Sequence, residues 1–535
     1  MARNKGSARG LFFSLYLWVL AGFGLRLWRV FYQLVMWRDE TAYAFEIKHV
    51  LNGTIFQDPT YYTFPPAYAL LAAPVAALTG DPELAGRLIT CVAGAAAAIP
   101  VYYLTRDLFG QRAAAAAAAV TALFPPLFSI GVMSESTYSL LVMLCLYLGH
   151  RAYKSGRGRD YFLFGLVMAI SYLTRPEGFF IFFAYLFLLA ALIWKKTGTK
   201  KVTALAGAAL LGFFLLAFPY MAQIRAHFGA WYISGKVPIN LVKVKAEETL
   251  RPGEDPERHE AEVSRQMEGE KRGLGMMLAQ FSAMAKRYPG NLMKEVKDFS
   301  KMVGAPLLAA FVLGISFIAA GRCLNPAMLL GLAAYAPFFV IPAVFVLDRV
   351  LVPYLPLLIV PAGYGIARLS EAVADRLKGG EALASGACVF FSAALFIGNF
   401  GGLLPQTDVQ KALYDSPSYS YYYTLRQIAG QARARIPPDS RIITRNDIFA
   451  YYAGGEYLPI PPSGIGGLMK YAADNEAGYL FYGPMERDMR PQLYPVLFQG
   501  DGYPKANPLG DGSLRLAALW GDDFALYEFT GRGAR

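Results

Sequence analysis

A chain in which one long apolar run follows another over residues 11–404 has few folds open to it. Inside lipid every backbone polar group needs a partner from the chain itself, so such runs must be helices or closed barrels. Runs of this length are read as helices, because about 20 mostly apolar residues cross a hydrocarbon layer about 30 Å thick. Spans are expected at roughly 11–31, 84–105, 113–132, 136–150, 161–175, 177–194, 202–222, 303–320, 327–347, 350–368 and 383–404, about eleven in all. Charged residues make up 17% of the 535 positions, where a soluble chain carries about 25%. The deficit ends near Pro405, and the remainder has the composition of a soluble domain. Two domains are therefore expected, 1–404 within the membrane and 405–535 outside it.

The net charge of +12 invites a nucleic-acid reading, but the distribution of the charge argues against one. Basic residues gather in alternate loops: Arg106 and Arg112; Arg151, Lys154, Arg157 and Arg159; Lys195, Lys196, Lys200 and Lys201; Arg322; Arg368, Arg376 and Lys378. The positive-inside rule puts these loops and the basic N-terminus (Arg3, Lys5, Arg9) in the cytoplasm. An odd number of spans then sends the C-terminal domain to the other side. The first run shows no small-residue cleavage site and is expected to stay as a span. Arg26 and Arg29 near its outer end are expected to snorkel to the interface. The four cysteines, Cys91, Cys145, Cys323 and Cys388, sit in apolar runs or a short basic loop, so neither a disulfide framework nor a Cys-rich metal site is implied.

Three segments lie outside the membrane. The first, 38–83, opens with an amphipathic stretch ending at Gly53 and continues past Pro65-Pro66 into an apolar stretch, Tyr68–Leu78, too short to span and suited to lying on the interface. The second, 223–302, is charged and helix-prone. The third, 405–535, alternates helix and strand signals: helices near 421–435, 446–452 and 465–473, strands near 441–444, 478–481, 514–518 and 524–529. That alternation predicts a small α/β domain.

Charges at membrane depth are costly and usually functional. Here they collect at the outer ends of different spans: Asp39-Glu40 after the first, Glu135 at the start of the fourth, Arg175-Pro-Glu177 between the fifth and sixth, and Asp348-Arg349 between the ninth and tenth. Connections this short place their charges at the outer boundary, where they can face one cavity. A carboxylate there can take the proton of an acceptor hydroxyl. Arginines can clamp a phosphate, and a departing phosphate needs neutralising charge more than a proton. Each pair also has a structural alternative. Asp39-Glu40 can cap a helix, Glu135 can be a first-turn acid, Arg175 and Glu177 can form a local ion pair at Pro176, and Asp348-Arg349 can anchor a span at the headgroups.

At these residues the sequence resembles the GT-C superfamily of membrane glycosyltransferases, and within it the protein O-mannosyltransferase and lipid A aminoarabinose transferase group. The resemblance runs over roughly 11–404. It rests on Asp39-Glu40, Pro65-Pro66-Ala-Tyr68, Leu84–Phe109 with its match to the Arg-Leu…Arg-x-Leu-Phe-Gly pattern, Leu173-Thr-Arg-Pro-Glu-Gly178 and Arg349-x-Leu-x-Pro-Tyr-Leu-Pro356. It implies a multi-span helical fold with an extracytoplasmic α/β domain. It also implies a polyprenyl-phosphate sugar donor, an acceptor outside the cytoplasm (glycolipid, glycan or protein), and inverting transfer without a metal or cofactor. The resemblance makes Asp39 the general base, Glu40 its orienting neighbour and Glu135 the acid at the start of the fourth span. Arg349 and then Arg175 are assigned to the donor phosphate, with Glu177 and Asp348 beside them. It implies a bacterial inner membrane and a periplasmic tail. One position departs from the group: aminoarabinose transferases carry Lys before the Pro-Pro pair, and here it is Phe64.

Two other readings compete. A transporter or flippase of a lipid-linked glycan would favour inverted repeats and broken midplane helices, which are not evident in the sequence. A non-catalytic scaffold would leave the one-sided charges without a role.

Overall fold

The computed structural model describes residues 5–55, 64–251, 259–260, 262–263, 275, 278, 280–321, 326–343, 348–397, 416–500 and 502–530. Most of the polar segment 252–279, Arg3, Arg322, Cys323 and the end of the last expected span (398–404) lie outside the described residues, as does the side chain of Asp348.

Among the described residues each expected span falls at least in part on helix, and 344–347, at the end of the run 327–347, lie outside them. In chain order the helices are α1 Lys5–Val30, α2 Arg38–Leu51, α3 Ala67–Thr79, α4 Pro82–Ala96, α5 Ala98–Phe109, α6 Gln111–Leu123, α7 Glu135–Ser155, α8 Gly158–Thr174, α9 Glu177–Thr197, α10 Thr199–Phe228 and α11 Lys236–Thr249. Then come α12 Phe281–Ala320, α13 Pro326–Ala333, α14 Ala336–Val340, α15 Asp348–Leu351, α16 Leu355–Arg376 and α17 Gly380–Ile397. Among the described residues five stretches are long and apolar enough to cross a membrane: Pro82–Phe109, Glu177–Trp194, Thr199–Phe228, Phe281–Ala320 and Arg349–Arg376. Their outward faces carry Leu211, Leu215, Phe218, Phe187 and Val312, all well exposed. A surface of that kind suits hydrocarbon rather than water, and the chain is a multi-span helical membrane protein.

Proline accounts for the places where helix is shorter than the apolar run. The run expected over 113–132 leaves the α-helix at Leu123 because Pro125 and Pro126 follow, and the chain turns through the 3-10 segment Pro125–Leu127. The run over 327–347 is divided into α13, α14 and the 3-10 turn Ile341–Ala343, with Pro337 and Pro342 at the breaks. α12 bends at Gly304, whose φ of 68° only glycine adopts readily, two residues before Pro306. The stretch expected to lie on the interface is α3. It ends at Gly80 (φ 70°), and Asp81 then caps α4 by accepting the amides of Glu83 (2.9 Å) and Leu84 (3.1 Å).

The chain divides into two compact units. The first comprises 1–32, 46–244 and 271–405. Its helices pack through small residues, as bilayer interfaces require. A Cβ at Gly165 would strike the Ala209 carbonyl and one at Gly212 the Phe162 carbonyl, so α8 and α10 meet backbone to backbone. Gly314 and Gly365 do the same for α12 and α16. The Ala113–Ala119 run is buried throughout, and its residues Ala113 and Ala117 meet Gly363.

Arg26 does not snorkel. It is fully buried, and its guanidinium donates to the carbonyls of Ala122 (2.9 Å), Leu127 (3.1 Å) and Gly22 (3.0 Å) and lies 4.1 Å over the Phe128 ring. The early end of α6 leaves carbonyls without helical partners, and Arg26 supplies donors to that turn.

The second unit comprises 33–45, 245–270 and 406–535. Its centre is a five-stranded sheet in the order β2-β1-β3-β5-β4, with β1 Arg441–Thr444, β2 Glu456–Pro459, β3 Tyr479–Tyr482, β4 Leu514–Trp520 and β5 Phe524–Phe529. β2, β1 and β3 run parallel, and the β4–β5 hairpin adds antiparallel to β3. Helices α18 Pro417–Ala432, α19 Asp447–Tyr452 and α20 Ile465–Asp474 accompany the strands, which makes the domain α/β. The expected elements are all present. β2 was not expected, because Glu456-Tyr-Leu-Pro459 is a partly exposed edge strand without apolar alternation.

Candidate active site

Arg175 organises the charged cluster of the first unit. Pro176 disfavours helical backbone in the residue before it, so Arg175 leaves α8 extended (φ −150°, ψ 135°). α9 restarts at Glu177. The guanidinium is thereby set between two acids on separate helices. Nη1 donates to Glu135 Oε1 at 2.9 Å and Nη2 to Glu177 Oε1 at 3.0 Å. All three side chains are buried. The second oxygen of each acid, Glu135 Oε2 and Glu177 Oε2, is buried with no hydrogen-bond partner. Tyr138, one turn beyond Glu135, lies with its ring 5.9 Å from the Arg175 guanidinium and packs edge-on against Tyr354.

Arg349 approaches the same acid from α15. Its Nε is 3.9 Å from Glu135 Oε1, and Nη1 lies 3.6 Å from Met133 Sδ. Its side chain is 38% exposed against 10% for Arg175, so Arg349 is the more accessible of the two. Asp348 opens α15, but its side chain is not among the described ones.

A third cation joins them. Lys236 begins α11, with its amide donating to the buried Ser234 hydroxyl (3.2 Å). Its ammonium sits 4.1 Å over the ring of Phe64, and it lies within electrostatic reach of Glu177. The position where the aminoarabinose transferases carry Lys is thus covered by a lysine from another segment. The described cluster brings Arg175, Arg349 and Lys236 together with the carboxylates of Glu135 and Glu177.

Reasoning from sequence missed Lys236, because a lysine inside a charged, polar segment looks like any solvated one. The only signal was the departure at Phe64. It also missed Glu295, a fully buried carboxyl on α12 whose two oxygens have no hydrogen-bond partner. Glu295 lies between Asn291, which donates to the Pro342 carbonyl at 2.8 Å, and Phe299, whose ring is 5.5 Å from Phe338. Set among Lys294, Lys297 and Asp298, it reads in the sequence as part of a hydrophilic face.

Asp39 and Glu40 belong to the second unit. They stand in the first turn of α2, where the helix dipole favours acids. Glu40 is buried and accepts from Gln33 Nε2 at 3.2 and 3.3 Å. Asp39 is partly exposed. Among the described residues no three His, Cys, Asp or Glu side chains gather as they would around a metal ion.

The comparisons with known proteins agree with this architecture. Residues 63–221 match the family model described as dolichyl-phosphate-mannose-protein mannosyltransferase. No curated protein matches the sequence. Among solved structures, the oligosaccharyltransferase of Archaeoglobus fulgidus in complex with Zn and sulfate shares 14% identity, with a TM-score of 0.53 over 88% of this chain and 68% of its own. The same organism's AglB in complex with an inhibitory peptide and a dolichol-phosphate shares 14%, with a TM-score of 0.54 over 90% and 70%. ArnT from Cupriavidus metallidurans in the apo state shares 14% over 98% of both chains, with a TM-score of 0.49. The match over 63–221 accords with the expected resemblance, and the two Archaeoglobus fulgidus structures accord with the expected helical membrane fold.

Proposed function

We propose that this membrane protein is a glycosyltransferase that moves one sugar from a lipid-linked phosphate donor to an acceptor hydroxyl outside the cytoplasm. The observation that carries the reading is the buried Glu135–Arg175–Glu177 bridge, within the stretch 63–221, with Arg349 and Lys236 beside it. The mannosyltransferase family match supports the reaction class, and a relative of the same fold that holds a dolichol-phosphate supports the donor class.

In the proposed reaction the acceptor oxygen attacks the anomeric carbon of the sugar as the bond to the phosphate oxygen breaks. The acceptor proton passes to Asp39, and the polyprenyl phosphate leaves as an anion with inversion at the sugar carbon. Arg349 and Lys236 meet the phosphate, and preorganised cations at a departing anion are often a large catalytic term. Arg175, held by two acids, cannot swing freely and fixes Glu135 and Glu177 instead, each with an unused oxygen for sugar hydroxyls. Glu40, bound by Gln33, stiffens the turn that bears Asp39. In this reading the protein is a bacterial inner-membrane enzyme with a periplasmic tail, and its acceptor is a glycolipid, a glycan or a protein.

The test is transfer of labelled sugar from membrane-extracted polyprenyl-phosphate donors by native protein and Asp39→Asn. Loss of transfer in a variant that still folds and binds donor supports the base. Native-level transfer by Asp39→Asn defeats it. Absence of transfer by native protein across a broad acceptor panel returns the transport reading.

A further inference from the structure

The segment that carries Asp39 is irregular between α1 and α2, and irregular backbone needs partners for its amides and carbonyls. Those partners come from the C-terminal domain. Tyr419 Oη accepts the Leu34 amide at 3.0 Å, Tyr452 Oη accepts the Met36 amide at 3.3 Å, and Arg426 Nη1 donates to the Leu34 carbonyl. Tyr419 and Arg426 are seven residues apart on α18 and so share a face. Between them Tyr422 meets the Trp37 ring edge-on at 5.5 Å. The Arg426 guanidinium also lies 4.8 Å over the Tyr452 ring, which ties α18 to α19 at the point of attachment. Val35 and Met36 are fully buried, and Val35 packs into the core of the domain. Past the acids, Phe45 enters the same core and meets Tyr451 edge-on at 5.4 Å. Asp39 and Glu40 thus lie between two anchors, one at 34–37 and one at 45, both set in the C-terminal domain.

We infer that the C-terminal domain is a positioning device for Asp39, with Tyr419, Arg426 and Tyr452 as the positioning residues. The inference rests on the reading of Asp39 as general base. A base acts only within hydrogen-bond reach of the proton it takes, and displacement of about 1 Å can cost about a hundredfold in rate. The seven-residue connection 31–37 has few backbone hydrogen bonds to its own flanking helices, and clamping to a folded domain holds it to that tolerance. The domain therefore contributes to turnover without touching substrate.

The experiment uses the full-length chain and compares native protein, Asp39→Asn, Arg426→Met, Arg426→Lys and the double variant Tyr419→Phe with Tyr452→Phe. Two readouts are taken: transfer kinetics with polyprenyl-phosphate donors, and hydrogen exchange at the Leu34 and Met36 amides. Arg426→Met and the double tyrosine variant are expected to lose at least about tenfold in kcat with donor KM within about twofold. Arg426→Lys, which keeps one donor, should recover part of the loss. Exchange at Leu34 and Met36 should quicken at least about tenfold in the tyrosine variant. Native kcat in both variants, or a raised KM with unchanged kcat, overturns the inference, and the second result would make the domain a substrate-binding one. Unchanged exchange at both amides overturns it independently of activity. If Asp39→Asn transfers sugar normally, the base reading fails instead, and the exchange data still decide whether the clamp exists.

Discussion

At the scale of single residues, the cluster in the first unit separates structural charge from functional charge by exposure. Arg175 is buried between two acids, so removing it strands two carboxylates. Arg175→Met is expected to cost about 3–5 kcal/mol, the usual loss when one partner of a buried pair is deleted, and thermal unfolding in detergent would measure it. Arg349 is more exposed and its ion pair at 3.9 Å is loose. Arg349→Met should leave unfolding within about 1 kcal/mol of native while raising the KM for donor. Lys236 offers a sharper test, because its ammonium already sits over Phe64. Lys236→Met should weaken donor binding, and adding Phe64→Lys to that variant should restore part of it by returning an ammonium to the same place. Failure of the second substitution to recover any binding would separate Lys236 from the donor phosphate. Sequence reasoning selected Glu135, Arg175, Glu177 and Arg349 because each stands where a charge is expensive, and the structure brings these four together.

At the scale of elements, the helices are held by contacts that require the absence of a side chain. On α10, Gly212 faces the Phe162 carbonyl of α8, whereas Gly207 has nothing within 4 Å of where a Cβ would lie. The same substitution on one helix should therefore act in opposite directions. Gly212→Ala must push two backbones apart and should destabilise by at least about 1–3 kcal/mol. Gly207→Ala should be neutral or stabilising by up to about 1 kcal/mol, since alanine favours helix. Unfolding of the two purified variants, read against native protein, checks the pair, and equal effects would show that the α8–α10 crossing is looser than described. Helix existence was legible from apolar run length. The helix end at Arg175-Pro176 was legible, whereas the span expected over 113–132 ran through Pro125, where the α-helix has already ended. Arg26 was misjudged because snorkelling assumes an open path to the interface, and the early end of α6 offers carbonyls nearer at hand.

At the scale of the whole molecule, the alternation of basic loops predicts that the segment around Lys154 and the C-terminal domain lie on opposite sides of the membrane. Single cysteines placed at Ser155 and at Ser513 test this with an impermeant thiol reagent on intact cells. Label is expected at 513 and not at 155; the reverse pattern would invert the orientation. Among the described residues Cys91, Cys145 and Cys388 are buried and should give little background, and Cys323 is exchanged for serine in both variants. The division into units adds something that linear domain boundaries do not carry: residues 33–45 fall in one compact unit with 406–535.

The sequence by itself determined the spans, their expected side, the α/β character of the tail and most of the charged cluster. Each of these follows from run length, periodicity or the cost of charge in lipid, which act over a few residues at a time. Only the tertiary structure decided that Lys236 lies over Phe64, that Glu295 is buried, and that Leu34 hydrogen-bonds to Tyr419 across 385 positions of chain. Contacts of that separation leave no periodic trace, because they depend on how finished helices and strands come together rather than on which residues form them.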